Sequence, residues 1–132
     1  MSDQENKAAV YNMHEAISRG DLDGMFDHMT EDVTFRVQGN HLLGRRKFQG
    51  KEDIVENLLM VIFGRLQGGV EVKIENIAAE NDKVFLQFSG KATRLSGEPY
   101  ENEYVQLFEF RDGKISSITE FLDTALLAEV LG

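Results

Sequence analysis

The chain has 132 residues, of which 42% are hydrophobic and 28% charged, and its net charge is −9. This composition is typical of a globular protein, and we expect one domain over residues 1–132. The negative charge disfavours nucleic acid and anionic membranes as partners, and the lack of cysteine excludes disulfides and thiol catalysis. Without a signal-peptide pattern or an apolar run of membrane-spanning length, the expected location is the cytoplasm.

Two helices and a strand are predicted in the first third of the chain. Apolar residues at helical spacing indicate a helix over residues 6–19 that stops at Gly20, and Asp21 is placed to cap a second helix. Residues 33–37 alternate between apolar and polar side chains. This alternation predicts a strand with Arg36 on the face opposite the apolar residues.

A loop and a third helix are predicted next. Residues 39–50 have no clear period, so we expect a loop in which residues 45–48 form a mobile lid hinged at glycines. The spacing of the apolar residues after Lys51 predicts a helix, and Gly68-Gly69 is the expected end of that helix.

The rest of the chain predicts four antiparallel strands and a terminal helix. Asp123 is placed to cap that short helix. Because helices flank a run of antiparallel strands, the expected fold class is α+β. Strands this long curl strongly, so the sheet is expected to be curved. It is a conical, curved, mostly antiparallel sheet wrapped on N-terminal helices, with an internal pocket. The expected strands cover residues 70–75, 83–93, 100–110 and 114–122.

The register of the last hairpin decides which side chains share a face. A two-residue turn at Asp112-Gly113 places Glu120 opposite Val105, whereas a type I turn with Gly113 as a bulge places it opposite Tyr104. We favour the bulged form, because the other register leaves the Glu120 carboxyl group among apolar neighbours. The polar side chains that the bulged form groups on one face are Asn102, Tyr104, Gln106 and Glu120.

Two stretches of the sequence resemble a known family. The first is GDLDGMF at residues 20–26, followed by TEDVTF, and the second runs from YENEY at residues 100–104 through FRDGKI to EFLD. From about Lys7 onward they resemble the SnoaL-like polyketide cyclase and ketosteroid isomerase-like families of the nuclear transport factor two-like superfamily. The resemblance implies a barrel of the cystatin-like and ketosteroid isomerase-like kind, with a conical cavity between sheet and helices, and a dimer through the convex sheet face. It specifies the fold better than the reaction, since the superfamily includes isomerases, cyclases, dehydratases, epoxide hydrolases and non-catalytic proteins.

Two positions disfavour a steroid isomerase of the usual mechanism. By the resemblance, the oxyanion-binding tyrosine of those enzymes would fall near Met13, and their general-base aspartate would fall near Val37. Neither side chain can perform that chemistry.

We expect three catalytic residues, namely Glu120, Tyr104 and Asp123. A carboxyl group enclosed by apolar side chains is desolvated, which raises its pKa towards neutrality and allows it to shuttle a proton. Tyr104 could hold Glu120 or polarise a substrate oxygen. Asp123 could form a carboxylate pair with Glu120, but its role as a helix cap is the stronger interpretation.

A second group of residues is expected to bind the ligand. His14 borders the apolar stripe of the first helix, and His41 lies in the loop over the expected mouth of the pocket. The histidines lack metal-ligand spacing, so we expect no metal and no redox cofactor. The expected ligand-binding residues are Asn102, Gln106, Phe108, His14, His41 and Met13.

The leading hypothesis is that the protein binds a small, largely apolar, oxygenated molecule and transforms it by cofactor-free acid–base chemistry of the isomerase, cyclase or lyase type. The alternatives are a non-catalytic small-molecule-binding protein and, with less support, a protein-interaction adaptor. A closed pocket with a desolvated carboxyl group would favour an enzyme, and a salt-bridged carboxyl group would favour a binding protein. We also expect a homodimer, whose contact surface on the convex face consists of Val105, Leu107, Phe121 and Ile115.

Overall fold

Two helices cover one face of the sheet in the computed structural model, which describes residues 2–132. Helix α1 (Asp3–Ser18) and the short helix α2 (Leu22–Phe26) lie where the sequence predicted them. Asp21 caps α2 as expected, because its carboxylate accepts a hydrogen bond of 2.9 Å from the backbone N–H of Gly24. The cap fixes the direction in which α2 leaves α1.

One curved sheet of six strands carries the fold. The strands lie in the order β2-β1-β6-β5-β4-β3, and all neighbours are antiparallel except β1 and β6. Since β2 and β3 are the two edges, the sheet stays open over residues 2–132, and the expected barrel is an unclosed cone. The predicted α+β class and curved sheet are confirmed. The strands are β1 (Met29–Val37), β2 (Phe48–Gln49), β3 (Leu66–Glu80), β4 (Lys83–Arg94), β5 (Pro99–Arg111) and β6 (Lys114–Leu122).

The segment after β1 differs from the predicted mobile lid. A 3₁₀ turn (Leu42–Arg45) leads into β2, where Phe48 pairs with Phe35 of β1. Phe48 is only 3% exposed and belongs to the hydrophobic core. The lid prediction for residues 45–48 is therefore wrong, because the aromatic ring fastens this segment to the sheet although the basic residues before it are exposed.

The third helix is interrupted and ends before the predicted glycines. Helix α3 (Gly50–Ile54) continues through a π-helical turn (Val55–Leu59) into helix α4 (Met60–Phe63). Gly68-Gly69, expected to end the helix, lies within β3 at a break in its pairing with β4. Gly68 has φ of 70°, so these glycines accommodate an irregularity of the edge strand rather than a helix end.

Helix α5 (Thr124–Leu131) closes the structure against the sheet. It places Leu127 and Leu131 in the main core, and Val130 packs in a smaller cluster with Leu66 and Tyr100. None of the helices described for residues 2–132 is long and apolar enough to cross a bilayer.

The β5–β6 hairpin combines features of the two registers considered. Asp112-Gly113 forms a two-residue turn with φ of 52° and 80°, as mirror-image hairpin turns require. An extra residue, Ser116, then shifts the register, so that Glu120 pairs with Gln106. The predicted bulge at Gly113 and the pairing of Glu120 with Tyr104 are therefore wrong. The polar side chains nevertheless share the predicted face. A bulge at either position moves Glu120 away from Val105 and onto the face of β5 that carries Tyr104 and Gln106.

The convex face of the sheet exposes apolar side chains from three neighbouring strands. Phe85 is 48% exposed, Val105 38% and Phe121 47%, and Leu107 lies half-buried between them in the register. Ile115 was expected on this face but is fully buried in the core. The reason is the position of the bulge, which follows Ile115 and leaves it on the concave face.

Candidate functional site

A cavity of about 120 Å³ lies between the concave face of the sheet and the helices. Its lining is apolar except along one wall, where His14 of α1, Tyr104 and Gln106 of β5, and Glu120 of β6 come together. Met13 lies beside His14 in the same lining. Five of the nine residues predicted to form the site therefore surround one cavity, in the arrangement common to small-molecule pockets, apolar with a few convergent polar groups.

Three of the polar side chains form a hydrogen-bonded row. His14 Nε2 lies 2.9 Å from Gln106 Oε1, and Gln106 Nε2 donates a bond of 2.7 Å to Glu120 Oε1. All three residues are buried, Glu120 at 8% exposure. Because the amide oxygen of Gln106 can only accept, the hydrogen of the first bond resides on His14 Nε2.

The Glu120 carboxyl group is desolvated. Burial raises its pKa to about 7, although the hydrogen bond from Gln106 acts in the opposite direction. No lysine or arginine of the described residues lines the cavity, and Arg36 is exposed. The carboxyl group therefore populates both protonation states near neutral pH. Within residues 2–132, no group of three histidine, aspartate or glutamate side chains could hold a metal ion.

The His14 imidazole supports this wall in its neutral form. Burial lowers the pKa of His14, and the hydrogen bond to Gln106 offsets this only in part. The ring meets Phe88 edge-on, with centroids 5.0 Å apart. Its Nδ1 atom is buried without a hydrogen-bond partner among the described residues. The neutral ring thus donates through Nε2 alone.

Tyr104 holds its hydroxyl group in a second polar contact. Its ring stacks on Phe88 with centroids 4.7 Å apart, and its hydroxyl donates to the Tyr100 hydroxyl over 3.3 Å. Burial raises the pKa of Tyr104 well above its usual value, so the hydroxyl keeps its proton. Gly90 of β4 leaves room for the ring, since a Cβ atom there would lie 3.0 Å from Tyr104 Cε1.

Asn102 and Asp123 do not reach the cavity. The Asn102 amide donates to the Tyr100 hydroxyl over 2.8 Å and to the Asp123 carbonyl over 3.1 Å, and its oxygen accepts from the Asp123 N–H. The Asp123 carboxylate accepts from the backbone N–H groups of Ala125 and Leu126 and so caps α5. The Asn102 side chain thus joins β5 to the residue before α5, the Asp123 carboxylate caps α5 as expected, and neither side chain lines this cavity.

His41 and Phe108 also lie away from the cavity lining. Phe108 is fully buried within the core. His41 Nε2 lies 3.0 Å from the Gln38 carbonyl oxygen, and its Nδ1 accepts from the Leu43 N–H over 3.2 Å. Since its own turn uses both ring nitrogens, His41 stabilises the 3₁₀ turn instead of covering a pocket mouth.

The sequence analysis did not identify the π-helical part of the cavity lining. Leu58 and Leu59 are consecutive residues of the π-helical turn, and both line the cavity. In a regular α-helix consecutive side chains point about 100° apart, so the sequence spacing alone does not show that both face one cavity. Single π-helical turns within α-helices occur frequently at functional sites. No residue pattern in the sequence predicts this π-helical turn.

Comparison with known protein families decides the affiliation of the chain. The family model of the SnoaL-like domain matches residues 10–118, well over half of the sequence. The chain belongs to the SnoaL-like domain family. The resemblance found in the sequence is confirmed, and no curated protein sequence matches this SnoaL-like chain.

Solved structures share the fold of this SnoaL-like chain at low identity. An NTF2-like protein of unknown function from Burkholderia pseudomallei K96243 is 17% identical, with a TM-score of 0.86 over 99% of this chain and 98% of that one. TerC, co-crystallised with polyporic acid, is 24% identical, with a TM-score of 0.84 and coverages of 96% and 98%. A candidate SnoaL-like polyketide cyclase from Jannaschia sp. CCS1 is 21% identical, with a TM-score of 0.82 and coverages of 98% and 92%. At these identities the similarity shows the fold alone.

Proposed function

We propose that this protein binds a small, largely apolar, oxygenated molecule in the cavity and transforms it by acid–base chemistry that needs no cofactor, in the cytoplasm. The observation that carries the proposal is the Glu120 carboxyl group, enclosed in an apolar cavity without a cationic side chain in its lining. Its pKa of about 7 lies near physiological pH. A group of this kind gives and takes protons most effectively under working conditions.

The dimensions and lining of the cavity favour an uncharged ligand of modest size. An engineered apolar cavity of about 150 Å³ holds benzene, so a volume of about 120 Å³ suits a part of a molecule about the size of one ring. An anionic ligand would lack a cationic partner in the lining and would repel the ionised form of Glu120. The crystallisation of TerC with polyporic acid supports an organic ligand in this fold.

The residues of the polar wall divide the chemistry between them. Ionised Glu120 removes a proton from a carbon next to a carbonyl group, and the electron pair of that C–H bond moves onto the carbonyl oxygen. Tyr104 keeps its proton, and its hydroxyl turns from the Tyr100 hydroxyl to donate to the oxygen as negative charge develops. Protonated Glu120 then returns the proton to a second atom of the substrate. The sequence of steps is redox-neutral, as in isomerisation or in cyclisation through an enolate.

A non-catalytic binding protein is the second candidate function. It is favoured by the hydrogen bonds that His14, Gln106 and Glu120 already make with one another in the absence of a ligand. This row of polar side chains can also hydrogen-bond a ligand that is released without being transformed. The two candidates share the cavity and differ in whether Glu120 transfers a proton.

The test compares the wild type with Glu120→Gln. We expect a ligand-observed NMR screen of small cyclic ketones, enols and phenols to find compounds that bind the wild-type cavity, some of which it converts. Glu120→Gln should retain the affinity within a few-fold and lose turnover by roughly 10²–10⁴-fold. Glu103→Gln, a change of an exposed carboxylate on the neighbouring strand, is the matched control. Unchanged turnover in Glu120→Gln would contradict the catalytic role, and binding without turnover by the wild type would support the second candidate.

We also propose that the protein is a homodimer through its convex face. Val105 pairs with Phe121, Phe85 lies diagonally across from Val105 on the next strand, and all three are exposed, as in an interaction surface. A second copy is the occupant that fits, because a two-fold axis brings the same apolar patch against itself. In such a dimer the cavities face away from the interface and remain open to ligand.

We expect Phe121→Glu to dissociate this dimer. A carboxylate buried without a cation in an apolar interface costs several kcal/mol, which should weaken dimerisation by at least 100-fold. Sedimentation velocity over a range of concentrations measures the change. Leu95→Glu is the control, since Leu95 is 63% exposed in the turn between β4 and β5, away from the patch. A wild-type protein that sediments as a monomer at high micromolar concentration would contradict the proposal.

A further inference from the structure

Gln106 connects two buried titratable side chains that are not hydrogen-bonded to each other. It contacts His14 of α1 through its amide oxygen and Glu120 of β6 through its amide nitrogen. The contact with His14 spans 92 residues of sequence. One neutral amide therefore links a helix to the carboxyl group on the far side of β5.

The chemistry of the three groups fixes the orientation of that amide. An ionised carboxylate can only accept hydrogen bonds, so the NH₂ group of Gln106 faces Glu120 and the amide oxygen faces His14. His14 then donates through Nε2. When Glu120 takes up a proton, its Oε1 atom still accepts from Gln106, and the proton resides on Oε2. In the described residues, Oε2 has no hydrogen-bond partner, and Glu120 lines the cavity.

We propose that His14 and Gln106 are positioning residues for Glu120: His14 holds the Gln106 amide in one orientation, and that amide confines the Glu120 proton to Oε2. The arrangement makes Glu120 a donor towards the ligand when it is protonated and an acceptor from the same atom when it is ionised. The consequence for catalysis rests on the proposed function, whereas the positioning itself is a property of the free protein.

The surroundings of the Glu120 carboxyl group indicate that His14 affects its pKa only through Gln106. The titratable side chains that line the cavity with Glu120 are His14 from α1 and Tyr104 from β5, and both are uncharged at neutral pH. The helices α2 and α4, the π-helical turn and the strands β1, β3 and β4 contribute only apolar residues to the lining. A change at His14 therefore alters the titration of Glu120 by releasing the amide and not by removing a charge.

The direction of the effect follows from the hydrogen bond. A donor to the ionised carboxylate favours that form, so the Gln106 amide keeps the pKa of Glu120 lower than burial alone would. Gln106→Leu removes the donor and should raise the pKa by about one unit. His14→Phe keeps a ring of similar shape but frees the amide to rotate, and it should raise the pKa in the same direction by a smaller amount.

The experiment is a ¹³C NMR titration of the Glu120 side-chain carboxyl carbon in the free protein. We expect Gln106→Leu and His14→Phe each to move the midpoint to higher pH, and the double variant to match Gln106→Leu alone, because His14 acts only through the amide. His14→Gln, which restores a donor at the position of Nε2, should return the midpoint to the wild-type value. Gln87→Leu on β4 is the control, since Gln87 bonds with Asn76 outside the cavity lining.

Additive shifts in the double variant, or an unchanged midpoint in His14→Phe, would overturn the proposal. A second measurement needs no variant: the ¹⁵N spectrum of wild-type His14 should show a hydrogen on Nε2 and none on Nδ1, and the opposite tautomer would overturn it equally. These readouts involve no substrate. If the positioning by His14 and Gln106 is confirmed but the protein converts no compound, only the catalytic function is refuted. If the protein converts a compound but the shifts are additive, only the positioning is refuted.

Discussion

Replacing Glu120 with glutamine is expected to stabilise the folded protein by about 3 kcal/mol above about pH 7 and to leave its stability almost unchanged below about pH 4. The carboxyl group has an ordinary pKa of 4.5 in the unfolded chain and one of about 7 in the fold. Between these values the unfolded chain has released a proton that the folded protein still holds, so a rise in pH favours unfolding. Above about pH 7 the folded protein carries a buried carboxylate, and the full cost persists.

Glutamine removes this cost because it is nearly isosteric and never ionises. The difference in unfolding free energy between variant and wild type should therefore grow from about pH 4 to about pH 7 and then stay constant. Urea denaturation at a series of pH values measures it. Other carboxylates titrate in both proteins and cancel: Asp32, whose pKa is lowered by the hydrogen bond from Arg111, is an example.

The control for this prediction is Glu103→Gln. Glu103 lies on β5 and is exposed to solvent, so the same chemical change there removes no buried charge. We expect a difference of less than about 0.5 kcal/mol at every pH. If Glu120→Gln destabilised the protein at about pH 8, or if its effect did not vary with pH, the carboxyl group would not be desolvated as described.

Local features of the sequence were sufficient to predict most elements. Asp21 and Asp123 cap helices through contacts with residues two or three positions away, and such short-range chemistry is visible in the sequence. The turn at Asp112-Gly113 is equally local, since both residues tolerate positive φ. The strand β2 was missed because Phe48 pairs with a distant residue of β1, and two residues form no recognisable alternation.

The bulge in β6 shows where a signal was present but not used. Ile115 and Ile118 are both buried, at 0% and 1% exposure, yet residues three apart lie on opposite faces of a regular strand. An extra residue between them is required if both are to reach the core, and Ser116 is that residue. The apolar spacing within β6 therefore determines the face of Glu120 better than the turn type does.

The row of His14, Gln106 and Glu120 could be predicted only in part. Alternation along β5 and β6 indicates that Gln106 and Glu120 share a face. Their contact with His14 depends on how α1 crosses the sheet, which the sequence of the helix does not encode locally. For the same reason the sequence could not distinguish Asn102, which faces α5, from Gln106, which faces the cavity.

Replacing Phe108 with alanine is expected to destabilise the protein by about 3–5 kcal/mol. The side chain is fully buried in the main core, where its ring meets the His14 ring edge-on with centroids 6.4 Å apart. Truncation removes apolar contacts and leaves a void that packed neighbours fill incompletely. The loss is a large part of the stability of an average domain, so the melting temperature should fall by more than 10 °C, roughly.

The same substitution separates a core residue from a ligand-binding one. A phenyl ring that lined a pocket would already face open space, and its removal would cost little stability while it weakened ligand binding. Phe108→Leu is the matched variant, because it keeps most of the apolar volume and should cost only about 1–2 kcal/mol. Urea denaturation of both variants provides the measurement. A cost below about 1 kcal/mol for Phe108→Ala would place the ring in the cavity wall. A cost in the expected range identifies the ring as part of the packed core that His14 contacts.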